Sequence, residues 1–203
     1  GSGMCGIVGY VGHRDCMPIL IEGLKRLEYR GYDSAGVALQ GNGCLQVVKA
    51  AGKIRQLEAR LRERPLQGRF GIAHTRWATH GIPSDRNAHP HTDCTGRLAV
   101  VHNGIIENHR QLRSSLVASG HRLASDTDTE DLAHLVEQRL TGNLEEAVAG
   151  SLAQVQGACA MALVDREFPD RLVAARVGGS PLIIGLGDGE FILASDIPAV
   201  LPI

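Results

Sequence analysis

Cys5 is the residue of this chain whose type and position best suit covalent chemistry. We interpret residues 1–3 as an expression scar and Met4 as the initiator methionine, so that the mature chain begins at Cys5. Such a first residue holds a thiol beside a free α-amine, whose reference pKa of about 7.7–8.0 leaves it partly unprotonated near neutral pH. The amine can then take the thiol proton, as covalent catalysis requires. The alternative interpretation is a buried structural cysteine at the start of a strand.

Polar side chains also cluster where predicted strands end, at residues 30–33, 76–80 and 103–104. Arg76 offers a planar guanidinium that suits a carboxylate. Asn103 and the backbone N–H of Gly104 form the donor pair that an oxyanion hole needs. Asp128, in the first turn of a predicted helix, can receive an ammonium group. Plainer explanations exist, because the helix dipole favours acids at helix starts and Asn-Gly is a common turn.

A group of histidines near Asp93 and Cys94 raises the question of a metal; they are His74, His80, His89, His91 and His102. The spacing of His89 and His91 is not a helical i, i+4 pair, and no second cysteine accompanies Cys94. We therefore predict no metal site and interpret these histidines as hydrogen-bonding groups of a loop. The glycine-rich segment 185–189 has the wrong spacing for a dinucleotide fingerprint, and we predict no cofactor.

Composition excludes several classes of function. The net charge of −1 gives no electrostatic basis for binding nucleic acid or a membrane surface. No apolar run is long enough to span a bilayer, and no secretory signal pattern precedes Cys5. The five cysteines contain no CxxC pair, which argues against a disulfide framework. These features predict a cytoplasmic protein.

Hydrophobic periodicity and turn signals predict one α+β domain. Consecutive strands joined by short turns indicate antiparallel sheets, with the helices in separate blocks packed on them. Helices are predicted at residues 15–29, 54–64, 108–119, 127–140 and 144–152, and strands at 6–11, 37–40, 44–49, 69–74, 98–102, 158–165, 172–176, 182–187 and 190–194. Residues 82–96 are predicted to form a long ordered loop. Asp15, Asn108 and Thr127 are predicted N-caps, the last in a capping box with Glu130.

Four segments occur in an order that resembles one known family: CGIVG (5–9), YRGYDSAG (29–36), HTRWATHG (74–81) and VHNGIIEN (101–108). The first is similar to the opening of class II glutamine amidotransferases, which are N-terminal-nucleophile hydrolases. The other three resemble in particular the glutaminase domain of the glutamine–fructose-6-phosphate aminotransferase family. The resemblance covers essentially residues 5–203. It implies a four-layer αββα sandwich, with two antiparallel sheets between layers of helices.

The resemblance also implies a role for each candidate residue. Cys5 attacks the side-chain amide of L-glutamine with its own α-amine as the base, while Asn103 and the Gly104 N–H stabilise the oxyanion. Arg76 holds the α-carboxylate of glutamine, and Asp128 holds the α-ammonium. Further implied site residues lie beside these groups: Thr79 and His80 next to Arg76, Arg30 and Gly31 near the Cys5 terminus, and Trp77 by the pocket.

A longer protein is implied as well. Residues 5–203 are expected to be its glutaminase domain, whose ammonia passes to fructose 6-phosphate bound by C-terminal isomerase domains that this chain lacks. The full-length protein is expected to be a homo-oligomer, and residues 1–4 are expected to leave the glutaminase inactive or weak while they remain. Three alternatives stay open: another class II amidotransferase, a metal-binding regulatory module and a non-catalytic glutamine sensor.

Overall fold

Ten strands form two antiparallel sheets in the computed structural model, which describes residues 4–201. The strands are β1 (Gly6–Val11), β2 (Ser34–Gly41), β3 (Cys44–Ala51), β4 (Phe70–Arg76), β5 (His91–Thr92), β6 (Leu98–Gly104), β7 (Cys159–Asp165), β8 (Leu172–Val177), β9 (Ile183–Gly187) and β10 (Glu190–Ala194). The first sheet has the order β3-β2-β4-β1-β10-β9 and the second β5-β6-β7-β8. Residues 1–3, which we interpret as a scar, and residues 202–203 lie outside the described part of the chain.

Five α-helices cover the outer faces of the two sheets within residues 4–201: α1 (Cys16–Arg26), α2 (Ile54–Glu63), α3 (His109–Ala118), α4 (Asp128–Arg139) and α5 (Leu144–Leu152). Leu24 of α1 and Leu57 of α2 are buried against the first sheet. Leu116 of α3, Leu132 of α4 and Val148 of α5 are buried against the second. None of the helices described is long and apolar enough to cross a membrane.

A third apolar cluster fills the space between the sheets. Ile7 and Ile72 of the first sheet are fully buried there against Val101 and Ala162 of the second. Burial of a large aliphatic side chain contributes about 1.5–3 kcal/mol, so this layer holds the sheets together. The predicted αββα sandwich is confirmed.

Several helices and strands begin or end at residues other than those predicted. Helix α1 ends three residues earlier than predicted, and a 3₁₀ turn at Glu28–Arg30 follows it. Strand β2 begins at Ser34, which pairs with Arg76 on one side and Ala51 on the other. The predicted loop 82–96 contains the two-residue strand β5, because His91 pairs with Val100 of β6.

The predicted side-chain caps are wrong, although the residues do occupy the N-cap positions. The side chains of Asp15, Asn108 and Thr127 make no capping hydrogen bond to their helices. Glu130 instead accepts the N–H groups of Ala124 at 2.7 Å and Ser125 at 2.6 Å, in the loop before α4. A buried carboxylate takes the donors that tertiary structure places beside it, and here these belong to the preceding loop rather than to the N-cap.

Three strand ends meet at one edge of the sandwich. Gly6 pairs with Thr75, so antiparallel β4 ends beside the start of β1 and places Arg76 next to Cys5. Strand β6 of the second sheet ends at Gly104. Segments 5–6, 75–81 and 103–104, far apart in the chain, therefore come together.

Candidate active site

Cys5 lies at the junction of β1 and the segment that leaves β4. Its Sγ accepts the backbone N–H of Trp77 at 3.2 Å. Burial raises the pKa of the Cys5 thiol, while the Trp77 hydrogen bond and the charge of Arg76 act in the opposite direction. Since the net shift is upward, the thiol needs a base to become a nucleophile near neutral pH.

Asn103 is held at the end of β6 with its amide directed toward Cys5. Its Nδ2 donates to the backbone oxygen of Cys5 at 3.0 Å. His74 Nε2 lies 3.1 Å from both Asn103 Oδ1 and the His102 carbonyl oxygen. Both of these neighbours are acceptors, so His74 Nε2 carries the proton, and its bond to Oδ1 fixes which way the Asn103 amide faces.

Gly104 occupies a backbone conformation that favours glycine. Its φ is 122°, and a Cβ at this position would lie 2.3 Å from the carbonyl oxygen of Ala158. The strand can therefore bring its backbone up to the cavity beside Cys5 only because residue 104 has no side chain.

Arg76 and Asp128 place one buried charge of each sign at the cavity. The Arg76 guanidinium donates to the carbonyl oxygens of Gly81 at 3.0 Å and Ile82 at 3.5 Å, and also to that of His80. Asp128 begins α4, and its Oδ2 accepts the N–H of Ile106 at 2.9 Å.

His80 and Thr79 belong to the segment between these charges. His80 Nε2 lies 3.8 Å from Asp128 Oδ2. Thr79 lines the cavity and is exposed to solvent. Asp33 supports this segment, because its Oδ2 accepts the N–H of Ala78 at 2.6 Å.

Arg30 and Gly31 lie near Cys5 but do not line the cavity. The Arg30 guanidinium donates to Ser195 Oγ at 3.1 Å, and the same Oγ accepts the N–H of Ile7 at 2.9 Å. The Arg30 carbonyl accepts the N–H of Met4 at 3.3 Å. Gly31 has a φ of 79°, which allows the sharp turn toward β2. Arg30 thus supports the start of β1 from outside the cavity.

The cavity itself is small, with a volume of about 10 Å³. Six of its lining residues are predicted site residues: Cys5, Arg76, Trp77, Thr79, Gly104 and Asp128. Sequence reasoning assigned no site role to the other three, which are His89, His102 and Thr129. His102 Nδ1 pairs with Thr129 Oγ1 at 3.0 Å, and its buried Nε2 has no protein partner among the described residues. The signal that could have found His102 is its position next to Asn103.

Solved structures with this fold define the class of protein. The glutamine phosphoribosylpyrophosphate amidotransferase from B. subtilis superposes with a TM-score of 0.83 at 29% sequence identity, over 96% of this chain and 42% of that chain. A glutamine aminotransferase class-II domain protein from Silicibacter pomeroyi shares the fold, with a TM-score of 0.66 and 16% identity over 94% of this chain and 88% of that one. The architecture is that of glutamine amidotransferases.

Sequence comparison places the chain within that class. Residues 74–202 match the model of a family described as glutamine amidotransferase domain, so the chain belongs to that family. It is 56% identical to a glutamine–fructose-6-phosphate aminotransferase (isomerizing) from Pyrococcus horikoshii and 55% identical to one from Thermus thermophilus. Both alignments cover 98% of this chain and 33% of the relative. The chain thus spans about a third of the length of these relatives, and the predicted resemblance is confirmed.

Proposed function

We propose that this chain hydrolyses the side-chain amide of L-glutamine to glutamate and ammonia, with Cys5 as the nucleophile. The observation that carries the proposal is a cavity holding the Cys5 thiol between a buried cation, Arg76, and a buried anion, Asp128. Free glutamine carries an α-carboxylate and an α-ammonium group, so one buried charge of each sign matches it. Membership of the glutamine amidotransferase family supports the same substrate.

The chemistry proceeds in two halves. Cys5 Sγ gives its proton to the α-amine and attacks the amide carbon, and Asn103 Nδ2 with the Gly104 N–H receives the negative charge that develops on oxygen. The protonated amine returns the proton to the leaving nitrogen, so ammonia departs and a thioester remains. The same amine then takes a proton from water, which attacks the thioester and releases glutamate and the thiol.

The α-amine fits the role of base because burial raises the pKa of the Cys5 thiol. Positioned general bases contribute about 10²–10⁴ in rate, which compensates for a small thiolate fraction. The amine is free only when the chain begins at Cys5, so removal of residues 1–4 belongs to this proposal.

Binding of the substrate carboxylate has a structural consequence. The carbonyl oxygens of residues 80–82 already occupy the donors of Arg76. A carboxylate offers a stronger, bidentate partner than these neutral oxygens. We expect glutamine to replace some of these bonds and the 80–82 segment to reposition as it binds.

In the longer protein, the ammonia would pass to fructose 6-phosphate to give glucosamine 6-phosphate. The two aminotransferase relatives support this step, since each is about three times as long as the matched region. C-terminal isomerase domains would hold the sugar phosphate. The whole protein would be a cytoplasmic homo-oligomer.

A glutaminase assay on protein that begins at Cys5 tests the proposal. The parent is expected to release glutamate from glutamine, and Cys5→Ala is expected to bind glutamine without releasing glutamate. Cys44→Ser is the matched control, because Cys44 is also a free thiol but lies in the β2–β3 hairpin. Undiminished turnover in Cys5→Ala would show that another group is the nucleophile.

A further inference from the structure

A second cluster of reactive side chains lies outside the cavity, where the β5–β6 turn meets α4. Cys94 follows β5, His121 follows α3, and His134 and Glu137 lie on α4. Each offers one atom to a common point, and these four atoms lie within 4.8 Å of one another. The cluster plays no part in the proposed glutamine chemistry.

The distances between these atoms suit tetrahedral zinc. Cys94 Sγ lies 3.6 Å from His134 Nδ1 and 3.8 Å from His121 Nδ1. Zn–S bonds of about 2.3 Å and Zn–N bonds of about 2.0–2.1 Å at a tetrahedral angle separate sulfur from nitrogen by about 3.6 Å. Glu137 Oε1 is 3.0 Å from both imidazole nitrogens. It needs to withdraw by only a few tenths of an ångström to become the fourth ligand.

Neighbouring groups orient the side chains of the cluster, as outer groups orient the ligands in metal sites. His134 directs Nδ1 into the cluster while its Nε2 lies 3.1 Å from Glu130 Oε2. A carboxylate behind a histidine fixes the tautomer and the ring orientation of a metal ligand. On the sulfur side, the N–H of Arg122 donates to Cys94 Sγ at 3.4 Å and so helps to hold the sulfur in place.

The surroundings allow a cation to enter and remain. His134 is fully buried, whereas the side chains of His121 and Glu137 are 11% and 19% exposed and Cys94 lies at the surface. His134 and Glu137 are spaced i, i+3, which places both side chains on one face of α4. The cluster therefore has a fixed inner wall and an open outer side.

We propose that Cys94, His121, His134 and Glu137 bind one Zn²⁺ ion in a structural site. One thiolate, two imidazoles and one carboxylate form a donor set that suits zinc, and four protein ligands close the coordination shell. On binding, the thiol proton passes to solvent and the contacts of Glu137 with the two histidines give way to metal bonds. The proposal reverses the expectation that the chain has no metal site. Of the residues considered for that site from sequence, only Cys94 is a ligand here.

The site would join two separate segments to α4, the helix that carries Asp128. The β5–β6 turn contributes Cys94, the α3–α4 connection contributes His121, and α4 contributes the remaining two ligands. Binding to the folded state alone stabilises it by mass action. Zinc is therefore expected to raise the Tm, whether or not the glutaminase is active.

Zinc titration against a chromophoric chelator tests the proposal on the chain as it stands. We expect one equivalent of zinc per chain, and at least a 100-fold loss of affinity in Cys94→Ser. Cys44→Ser serves as the matched control for a surface thiol and Cys5→Ala as the control for the thiol of the cavity. Both controls are expected to bind zinc as the parent does.

Cobalt substitution identifies the ligands directly. The parent and Cys5→Ala are expected to show a thiolate-to-cobalt charge-transfer band that Cys94→Ser lacks. Glu130→Gln, which changes the group behind His134 and leaves the four ligands in place, is expected to weaken zinc binding by about 10–100-fold while the band remains. Glu137→Gln offers a second ligand variant if Cys94→Ser does not fold. The proposal is overturned if folded parent binds no zinc, if Cys94→Ser binds it as tightly, or if Cys5→Ala abolishes it.

Discussion

In the proposed reaction, Asn103 and Arg76 would contact the substrate at different stages. The charge that the Asn103 amide meets develops only as the thiol attacks, whereas the carboxylate that Arg76 meets is present from the first encounter. Interactions made only in the transition state alter turnover, while those made equally in the ground state alter binding. The two residues should therefore give different kinetic signatures.

Asn103→Ala is expected to lower the kcat of the form that begins at Cys5 by about 10²–10³-fold, with little change in the glutamine dissociation constant. The reason is loss of one oxyanion donor, Nδ2, which lies 3.0 Å from the Cys5 carbonyl oxygen. Steady-state kinetics and equilibrium glutamine binding measure the two effects separately. A variant that binds glutamine far more weakly but turns it over normally would contradict the assignment.

Arg76→Lys is expected to raise the glutamine dissociation constant much more than it lowers kcat. A lysine ammonium keeps the charge but cannot form the two parallel hydrogen bonds of a guanidinium. The same assays as for Asn103→Ala apply, so the variants serve as each other's controls. If both lose the same parameter, the division of roles between them is wrong.

Residue types and the order of the motifs were enough to predict the candidate catalytic residues. They were not enough to predict the contacts that hold these residues in place. Asn103 and Gly104 could be nominated because an amide beside a glycine is visible in the sequence. The bond from His74 to Asn103 joins different sheets, and no local pattern encodes it. Ser195, which holds Arg30, lies 165 positions away from it in the chain.

Between β4, β5 and β6 lies a group of buried histidines that links the two sheets. The rings of His74 and His89 stack with centroids 4.1 Å apart, and His91 lies at 4.9 Å from His89. Burial lowers the pKa of His74 to about 3 and holds those of His89 and His91 well below their usual value. Burial also lowers the pKa of His102. These rings are neutral in the folded protein at neutral pH.

Stability is expected to fall as the pH drops below about 6.5, the pKa of an unfolded histidine. Above that value neither state binds the proton, so the histidines give no pH dependence. Below it the unfolded chain binds protons that the folded chain excludes, and each such histidine lowers the free energy of unfolding by about 1.4 kcal/mol per pH unit. For His74 the loss continues to about pH 3, its folded pKa. Urea unfolding between pH 7 and pH 4 measures the slope.

His74→Gln isolates one histidine of this group. The glutamine amide can still donate to Asn103 Oδ1, while the variant has one titrating ring fewer. Its slope below pH 6.5 is expected to be shallower than that of the parent by about 1.4 kcal/mol per pH unit. His13→Gln, which removes a histidine at an exposed position, is the matched control. Identical slopes in all three proteins would mean that His74 is not kept neutral by burial.

Helices and strands that are marked by turn residues or prolines could be predicted from the sequence. Those that depend on contacts with distant parts of the chain could not. The turn at residues 41–43 fixed the β2–β3 hairpin, and Pro65 marked the end of α2 to within a residue or two. Strand β5 was missed because its two residues are a strand only through pairing with β6. The predicted capping box of α4 was wrong because Glu130 accepts N–H groups of the loop before the helix. These hydrogen bonds form only once that loop has folded.

For the whole molecule, the state of the N-terminus decides whether the proposed site is complete. With residues 1–4 attached, the nitrogen of Cys5 is an amide and has no lone pair available for a proton. The thiol remains, but with a reference pKa near 8.5 it is only a few per cent thiolate at pH 7. The N–H of Met4 also donates to the carbonyl oxygen of Arg30 at 3.3 Å, so Met4 lies against the segment that supports β1.

The glutaminase activity of the 203-residue chain is therefore expected to be lower than that of the form that begins at Cys5 by about 10²–10⁴-fold. Both forms keep Arg76 and Asp128, so binding of glutamine separates two causes. Loss of the base alone leaves the dissociation constant unchanged, whereas obstruction of the cavity by the extension raises it.

Intact mass must first establish the N-terminus of each sample. A chain that begins with Ser in place of Cys5 controls for the thiol, because it keeps the free amine but has a weaker nucleophile. Equal turnover by the 203-residue chain and the form that begins at Cys5 would show that the α-amine is not the base.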